Sequence, residues 1–406
     1  MDRRLGYLSG APRVTTRPEA VLSGPRAHVL GVMGAFDQLG WQVESFIVGD
    51  GVPLSWVAEQ QREEALKSYW LQRFAADIVR LLMSMANGRR ALRAIGEVDW
   101  VYERFGSLQG LGWWFQRKGV PWILETNALL FAESARDRGT IALASLVKAA
   151  EVRAYRKCDV LVCVSQTLAD LVVGEAGIDP RKVVVVPNGV DIERFTPHKH
   201  IPQRFFDAPT LGFVGSLNSW QRLDLLIKAL AELRQEGTDY KFVIVGDGPM
   251  MQEWQAVARS LGQNEHVRFV GRVLWAEVPA YIAGFDLGYA GQVSPSIGQM
   301  YLSPLKLYEY AAMARPVVAS AFDDAQRLIG GSSGGYLFSP GNKEELKRVL
   351  RIAYTQQGRW TEMGERAREL VVDQHSWVAR VREMISRVEP ILEEKYGAPY
   401  SIRRGR

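Results

Sequence analysis

The chain has 406 residues, of which 47% are hydrophobic, and a formal net charge of +5. This length favours two domains, and the apolar fraction excludes wholesale disorder. The charge excess is too diffuse for a nucleic-acid-binding surface, although it suits anionic small molecules or an acidic membrane surface. Cys158 and Cys163 flank or lie in an apolar run, which predicts two reduced, buried thiols and neither a disulfide framework nor a zinc site.

Targeting and membrane-spanning signals are missing from the sequence. The segment after Met1 has no apolar core of a secretory signal. No apolar run reaches the roughly 18 residues that a membrane-spanning helix needs. We therefore expect a cytoplasmic protein, either free or bound peripherally at the inner face of the membrane.

In the first half of the chain, short apolar runs alternate with amphipathic segments, which is typical of a parallel sheet built from βαβ units. Strands are predicted near 4–8, 42–48, 98–102, 121–124, 159–164 and 182–186. Helices are predicted at about 25–39, 59–95, 107–118, 131–156 and 166–174.

The second half repeats this pattern after a polar stretch at 187–209 that is punctuated by prolines. Strands are predicted near 210–215, 241–246, 267–270, 286–290, 316–319 and 335–338, followed by helices at 342–356, 360–372 and 376–395. We expect an N-terminal Rossmann-like domain at 1–190 and a C-terminal one at 207–375. The last helix, within 376–406, is expected to pack back on the first domain.

The most informative turn in the second half is Ser303-Pro304-Leu305-Lys306, which precedes Glu309. Ser303 is a natural N-cap and Pro304 suits the first helical position. The amides of Leu305 and Lys306 would then lack helical partners and attract a diphosphate. Glu309 is placed to accept the hydroxyls of a ribose. The alternative is an ordinary capped helix with a surface lysine and glutamate.

Three further turns follow strands in this half. Gly215 and Ser216 end an apolar strand ahead of Arg222, which is either a phosphate clamp or a solvated side chain. Gly246 lies in a tight turn after the next strand, and Arg272 with Val273 follows the third. The last pair is placed to contact a flat base.

Several other chemistries have no motif in the sequence. There is no Walker A segment, no Gly-x-Gly-x-x-Gly after a strand, no Asp-x-Asp and no His-x-x-x-His pair. We therefore expect neither a metal ion nor a dissociable cofactor.

Taken in order, these turns resemble those of the GT-B glycosyltransferases, and in particular glycosyltransferase family 4, whose members retain the anomeric configuration. The resemblance covers about 5–390. It depends on the segments 186–197 (VPNGVDIERFTP), 213–216 (FVGS), 245–249 (VGDGP), 269–271 (FVG), 303–310 (SPLKLYEY) and 314–320 (ARPVVAS).

The resemblance implies two Rossmann-like domains that face each other across a cleft, with the donor in the C-terminal one. Glu309 resembles the ribose-binding second glutamate of the family signature, and Leu305 and Lys306 its diphosphate-binding backbone. The first glutamate of that signature is replaced by Tyr301, which would contact the transferred sugar.

Two cations of the family pattern are also replaced. Ser216 stands where an arginine is usual, and Gln221 where a lysine is usual. We expect Arg222 or Lys306 to supply the missing charge during catalysis. The double replacement also makes an impaired or inactive homologue an open alternative.

In the first half, the resemblance places a glycine-containing loop near Gly24, facing the donor phosphates. Ser23 or Gly24 would cap the helix that carries His28, which is either a catalytic group or a helix-surface side chain. Asn127 matches a histidine that meets the reacting sugar in many relatives, and Glu133 is a second polar candidate. Alternatively, Glu125 and Asn127 cap the helix that follows them.

The expected reaction moves a sugar from a nucleoside-diphosphate sugar to a hydroxyl of a glycan, lipid-linked or small-molecule acceptor. Two alternatives stay open: a catalytically silent binding or scaffold subunit, and a nucleotide-sugar epimerase. Residues 52–96 interleave large apolar side chains with arginines. Core packing of an amphipathic helix explains this pattern, and a membrane-surface or lipid-linked acceptor site is the other interpretation.

Overall fold

The computed structural model describes residues 3–20, 23–54, 70–133, 141–294 and 298–397. The chain divides into two compact units. The first consists of Met1–Asn188, Tyr301–Ser303 and Trp377–Arg406, and the second of Gly189–Met300 and Pro304–Ser376. Tyr301 and Ser303 therefore belong to the first unit, although their positions in the sequence lie within the range expected for the second domain.

The first unit contains a six-stranded parallel sheet in the order β2-β1-β3-β4-β5-β6. Its strands are β1 (Arg4–Ser9), β2 (Gln42–Ile47), β3 (Trp100–Arg104), β4 (Trp122–Thr126), β5 (Val160–Cys163) and β6 (Val183–Val185). Its helices are α1 (Gly24–Gln38), α2 (Trp70–Ile95), α3 (Gly112–Gln116), α4 (Leu130–Ala132), α5 (Ala144–Lys157), α6 (Gln166–Ala176) and, from the end of the chain, a helix over Trp377–Tyr396.

Buried carboxylates make two of the predicted helices shorter than expected. Asp77 accepts hydrogen bonds from the amides of Ala142 and Leu143, at 2.9 and 3.0 Å, so the chain there is bound to a side chain and α5 begins only at Ala144. The prediction of one helix over 131–156 was therefore wrong. Glu103 likewise binds the amides of Leu111 and Gly112, where α3 begins.

One part of the predicted helix 59–95 lies outside the described residues. This part is 59–69, which includes Arg62, Lys67 and Tyr69; residues 55–58, with Trp56, also lie outside the described residues. No helix in the described part of the chain is both long enough and apolar enough to cross a bilayer.

The second unit contains another six-stranded parallel sheet, in the order β12-β11-β10-β7-β8-β9. Its strands are β7 (Thr210–Val214), β8 (Lys241–Val245), β9 (Val267–Gly271), β10 (Leu287–Ala290), β11 (Val317–Ser320) and β12 (Gly335–Phe338). Its helices are α7 (Leu223–Gln235), α8 (Met251–Ser260), α9 (Val278–Ala283), α10 (Leu305–Ala312), α11 (Asp323–Ser332), α12 (Lys343–Thr355) and α13 (Trp360–Gln374). The prediction of an α/β fold with two parallel sheets is confirmed.

The inner strands of both sheets are mostly buried along their whole length. Every residue of β4, β5, β10 and β11 is buried. Helices cover both faces of such a sheet, so its strands appear as continuous apolar runs rather than alternating ones. This explains why short apolar runs located the strands in the sequence.

The helix over Trp377–Tyr396, α14, packs against α1 within the first unit. Gly31 of α1 makes this contact possible, because a Cβ there would lie 2.3 Å from Nε1 of Trp377. Val381, Met384, Val388 and Leu392 bury the rest of the apolar face of α14. The first unit is thus completed by the last described helix of the chain.

Candidate active site

The strand order of the second sheet reverses between β7 and β10. The chain passes from β7 to β8 on one side and from β10 to β11 on the other. Such a switch point leaves a crevice at the carboxyl edge of a parallel sheet, where α/β folds bind ligands. Helix α10 lies at this edge, because the hydroxyl of Tyr310 accepts a hydrogen bond from the amide of Val214, at the end of β7 (2.8 Å).

Two glycines let the backbone come close together at this edge. Gly215 has a φ of +144° and Gly246 a φ of +138°, which other residues rarely adopt. A Cβ on Gly246 would lie 2.0 Å from the carbonyl oxygen of Gly215, and one on Gly215 would lie 3.3 Å from Nζ of Lys306. The turns after β7 and β8 therefore need glycine, and they leave their backbone uncovered by side chains.

The N-cap of α10 lies one residue later in the chain than the sequence predicted. Pro304, with a φ of −76° and a ψ of 115°, is the N-cap residue, and no side chain caps the helix. Ser303 instead accepts a hydrogen bond at Oγ from the amide of Asn188, at 3.0 Å. The prediction of Ser303 as N-cap was wrong, because its hydroxyl is bound by Asn188. The amides of Leu305 and Lys306 still open the helix, where backbone donors have no helical acceptor.

Lys306 is buried between polar and aromatic groups of the β7 turn. Its Nζ donates a hydrogen bond to Oε1 of Gln221 at 2.9 Å and lies 3.9 Å from the centre of the Phe213 ring. Burial lowers the pKa of Lys306 to about 7, although the nearby Glu309 acts in the opposite direction. An incoming anion would restore its charge. The alternative of an ordinary surface lysine is wrong for this residue, since only 8% of it is exposed.

Glu309 lies one turn further along α10 and is half-buried. Burial raises the pKa of its carboxyl group to about 7, and the charge of Lys306 opposes this rise. No hydrogen-bond donor in the described parts of the chain reaches this carboxylate. Its oxygens are therefore available to hydroxyl donors of a ligand.

Arg222 is the N-cap residue of α7 and is held by Asp224 in the first turn of that helix. It has a φ of +46°, and its guanidinium pairs with both carboxylate oxygens of Asp224, with an Nε–Oδ1 distance of 2.9 Å. The pKa of Arg222 is raised by this hydrogen bond. Gln221, which stands in place of a lysine, is buried and binds Lys306, whereas Ser216 is exposed. Lys306 thus lies beside the position of the missing cation, and Arg222 is already paired.

Arg272 and Val273 follow β9 and point to different environments. Gly271, with a φ of +85°, ends the strand. Arg272 is exposed, and no carboxylate among the described residues pairs with it. Val273 packs against the apolar core of the second unit. Among the described residues, no hydrogen bond or ion pair joins either of these two residues to Lys306 or Glu309.

In the first unit, polar side chains gather at the carboxyl ends of β1, β3 and β4. His28 is buried, with its Nε2 2.8 Å from Oε1 of Glu125 and its ring edge-on to that of Trp377. The interpretation of His28 as a helix-surface side chain was wrong, because α1 turns this residue toward the sheet. No sequence pattern indicated that residues 28 and 125 are paired.

Glu125 is the acceptor at the centre of this cluster. Tyr102 and Asn127 donate hydrogen bonds to it, at 2.5 and 2.6 Å. Burial would raise its pKa, but His28, Arg104 and Tyr102 together lower that pKa to about 2. One interpretation of the sequence was that Glu125 and Asn127 cap the following helix. Neither residue does so. Glu151 binds the amides of Leu130 and Phe131 instead, both at 2.9 Å.

Several buried polar atoms around this cluster have no hydrogen-bond partner among the described residues. They include the hydroxyls of Tyr7 and Ser9 on β1, Nε of Arg104 and Nδ1 of His28. Buried polar groups of this kind are rare in folded proteins unless water or a ligand completes them. The edge of the first sheet is therefore suited to a hydroxyl-rich ligand.

Three more residues singled out from the sequence lie in the first unit. Glu133 follows α4 and accepts a hydrogen bond from the hydroxyl of Tyr301, at 2.8 Å. Tyr301 is fully buried. Gly24 is the first residue of α1, and Ser23 is its N-cap, with Oγ 3.4 Å from the amide of Arg26. The structure thus brings Glu133 and Tyr301 together, separately from Asn127, which binds Glu125.

Two family models match the chain, one in each unit. Residues 22–194 match "Glycosyltransferase Family 4" and residues 208–355 match "Glycosyl transferases group 1". Solved structures share the whole fold. Sucrose-phosphate synthase from Thermosynechococcus elongatus superposes with a TM-score of 0.70 at 15% identity, covering 98% of this chain and 100% of the other. The Anabaena protein HepE in complex with UDP gives 0.63 at 16% identity, covering 95% and 99%.

Curated relatives match over a shorter stretch. A 2-deoxystreptamine glucosyltransferase of Streptomyces kanamyceticus is 26% identical over 216 residues, 51% of this chain and 54% of the relative. A GDP-mannose-dependent alpha-(1-6)-phosphatidylinositol monomannoside mannosyltransferase of Mycolicibacterium smegmatis is 28% identical over 217 residues, 50% of this chain and 55% of the relative. The chain spans about half the length of these relatives.

Proposed function

We propose that the chain transfers a sugar from a nucleoside-diphosphate sugar to an acceptor hydroxyl. It has the GT-B fold, and models of glycosyltransferase family 4 and of the group 1 glycosyl transferases match its residues 22–194 and 208–355. The acceptor is a glycan, a lipid-linked sugar or a small molecule. Similar proteins are named for GDP-mannose or were solved with UDP, so UDP and GDP sugars are the donors to test.

The arrangement around Lys306 supports this proposal. Its ammonium lies at the switch point of the second sheet, beside Gly215 and the first amides of α10. Helix amides and a lysine together suit a diphosphate. Glu309, whose carboxylate has no described donor, would accept hydrogen bonds from the ribose. Arg272 and Val273 would flank the base.

We propose that the reaction retains the anomeric configuration and needs no metal ion. The bond between the anomeric carbon and the β-phosphate oxygen breaks, and the acceptor oxygen bonds to the same face of that carbon. The acceptor proton passes to the leaving phosphate oxygen. Charge that develops on this phosphate is stabilised by Lys306 and the amides of Leu305 and Lys306, which act as aimed donors. Arg222 contributes only if it leaves Asp224.

The first unit would supply the contacts to the reacting sugar and acceptor. Asn127 and Glu133 are the proposed polar groups, and the Gly24 end of α1 would face phosphate. Tyr301 and His28, proposed from the sequence as substrate-binding residues, are buried and would act through the carboxylates that they contact, Glu133 and Glu125. Glu125 holds Asn127, and Tyr301 holds Glu133. Both candidate side chains are therefore fixed in position by a hydrogen bond.

A thermal-shift screen against UDP, GDP and ADP and their sugars tests the donor assignment. One nucleotide should raise the melting temperature of the wild type. Lys306→Met and Glu309→Gln should each weaken its binding by at least about tenfold, which corresponds to about 1.4 kcal/mol. Arg259→Gln, an exposed cation on α8, is the control and should bind normally. Unchanged affinity in both site variants would contradict the proposal.

The pairing of Arg222 with Asp224 favours one alternative function, that of a nucleotide-sugar-binding protein without transferase activity. If neither Arg222 nor another group replaces the missing cations, the protein binds a nucleotide sugar without transferring it. In that case the thermal shift persists, while NMR of the donor with a panel of acceptors shows neither transfer nor hydrolysis. Transfer of the sugar to any acceptor excludes this silent alternative.

A further inference from the structure

Helix α2 presents its apolar side chains to solvent. Fifteen large hydrophobic side chains are exposed in the described parts of the chain, and eight of them lie on this helix. They are Trp70, Leu71, Phe74, Ile78, Val79, Leu82, Met83 and Met85, with Leu71 and Leu82 exposed by 72 and 64%. The interpretation of these residues as core packing is wrong, and we call them the α2 face.

The inward side of α2 carries both polar and apolar buried residues and is fixed by specific contacts. Asp77 is fully buried and accepts hydrogen bonds from the amides of Ala142 and Leu143 and from Nη1 of Arg80. Gly88 packs against Trp114, where a Cβ would lie 2.0 Å from Nε1. These contacts set the rotation of the helix. The outward orientation of the α2 face is therefore built into the fold.

The charge of the helix has one sign on its exposed side. Residues 70–95 contain five arginines and one acid, and that acid is the buried Asp77. At a spacing of 100° per residue, Arg89, Arg90 and Arg93 continue the α2 face toward the end of the helix, and all three are exposed. Arg89 also lies over the half-buried ring of Trp114. The exposed side is thus apolar over its first four turns and cationic over the rest.

We propose that the α2 face docks the protein on an anionic lipid bilayer. The apolar side chains enter the boundary between headgroups and acyl chains, as amphipathic helices do, and the three arginines bind lipid phosphates. A second copy of the chain is a poorer occupant, since it would bring the same cations against each other. This inference does not depend on the proposed transfer reaction.

Flotation of the full chain with vesicles tests the proposal. The wild type should float with vesicles of phosphatidylcholine and phosphatidylglycerol, and much less with phosphatidylcholine alone or at high salt. Replacing Leu71 and Leu82 together by glutamine should weaken partitioning on the order of tenfold or more. Arg90→Gln and Arg93→Gln should each weaken it about fivefold, the factor that corresponds to about 1 kcal/mol per cation.

The matched control is Leu274→Gln, which replaces an equally exposed leucine (71%) in the second unit and should leave flotation unchanged. Because Leu71 and Leu82 are exposed, their variants should melt at the wild-type temperature. The proposal is overturned if the wild type does not float, floats equally with neutral vesicles, or floats as well without both leucines. Sedimentation equilibrium tests whether a second copy of the chain covers the α2 face instead. If the wild type forms a dimer that the leucine substitutions dissociate, and does not bind vesicles, the face belongs to a dimer interface.

Discussion

Lys306 and Glu309 lie three residues apart on α10. Lys306 is charged when it is protonated, whereas Glu309 is charged when it has lost its proton. Burial lowers the pKa of Lys306 to about 7 and raises the pKa of Glu309 to about 7, while each group partly offsets the shift of the other. Lys306 is therefore charged below pH 7 and neutral above it. Glu309 is neutral below pH 7 and ionised above it.

If the charged form of both groups binds the donor, affinity for a nucleotide sugar should be greatest near pH 7. It should fall by up to about tenfold per pH unit on either side, the slope expected when one proton is linked to binding. Lys306→Arg keeps its charge above pH 7 and should abolish the alkaline fall alone. Calorimetric titrations with a nucleotide sugar between pH 6 and 8.5 measure this. An affinity that does not vary with pH would show that neither group contacts the donor.

At the scale of single residues, the sequence indicated Lys306 and Glu309 because helix-start chemistry and family spacing both apply within one short segment. It did not indicate the pairing of His28 with Glu125, or of Tyr301 with Glu133. Those contacts join residues 97 and 168 positions apart, and only the folded chain brings them together. Lone polar residues carry no periodic signal that would predict such contacts.

Two glycines on α1 separate the contribution of helix propensity from that of packing. Gly31 lies against Trp377 of α14, whereas a Cβ on Gly34 would meet no atom within 4 Å. Both occupy the interior of the same helix. An alanine at either position gains the same helical preference over glycine, so any difference between the variants reports the contact of α1 with α14.

Gly34→Ala should stabilise the protein by about 0.5–1 kcal/mol, because alanine loses less conformational freedom in a helix. Gly31→Ala should destabilise it by roughly 1–3 kcal/mol through overpacking against Trp377. Urea unfolding followed by circular dichroism of both variants gives the comparison. Equal shifts in the same direction would mean that α14 does not pack on Gly31 in solution.

Element types were predictable because most strands are short apolar runs and the long helices are amphipathic. The predicted helix boundaries were wrong where a buried carboxylate binds backbone amides, as Asp77 does at Ala142 and Leu143. The capping group then lies far away in the sequence. The sequence left the orientation of the α2 face open between core packing and a membrane surface, since periodicity shows that a helix has an apolar side but not which way that side points.

At the scale of the whole molecule, the first unit depends on a segment that follows the entire second unit. Trp377, Val381, Met384, Val388 and Leu392 are all buried there. At about 1.5–3 kcal/mol for each buried side chain, their burial contributes roughly 8–15 kcal/mol as an upper bound. That is as large as the whole stability of an ordinary domain, about 5–15 kcal/mol.

Deleting residues 377–406 should therefore unfold the first unit and leave the second unit folded. Hydrogen exchange measured by mass spectrometry should show loss of protection in β1, β2 and α1, with β7, β8 and β9 protected as in the full chain. Deletion that leaves the strands of the first sheet protected would mean that α14 is dispensable for that unit.

This arrangement of α14 has a consequence for synthesis on the ribosome. Residues of the second unit emerge from the exit tunnel before the helix that completes the first unit. The second unit, although it is translated later, can therefore reach its native state first. Until α14 emerges, the first unit is an incomplete intermediate in which the surface of α1 that contacts α14 is exposed. Chaperones that bind nascent chains would find their target on that surface.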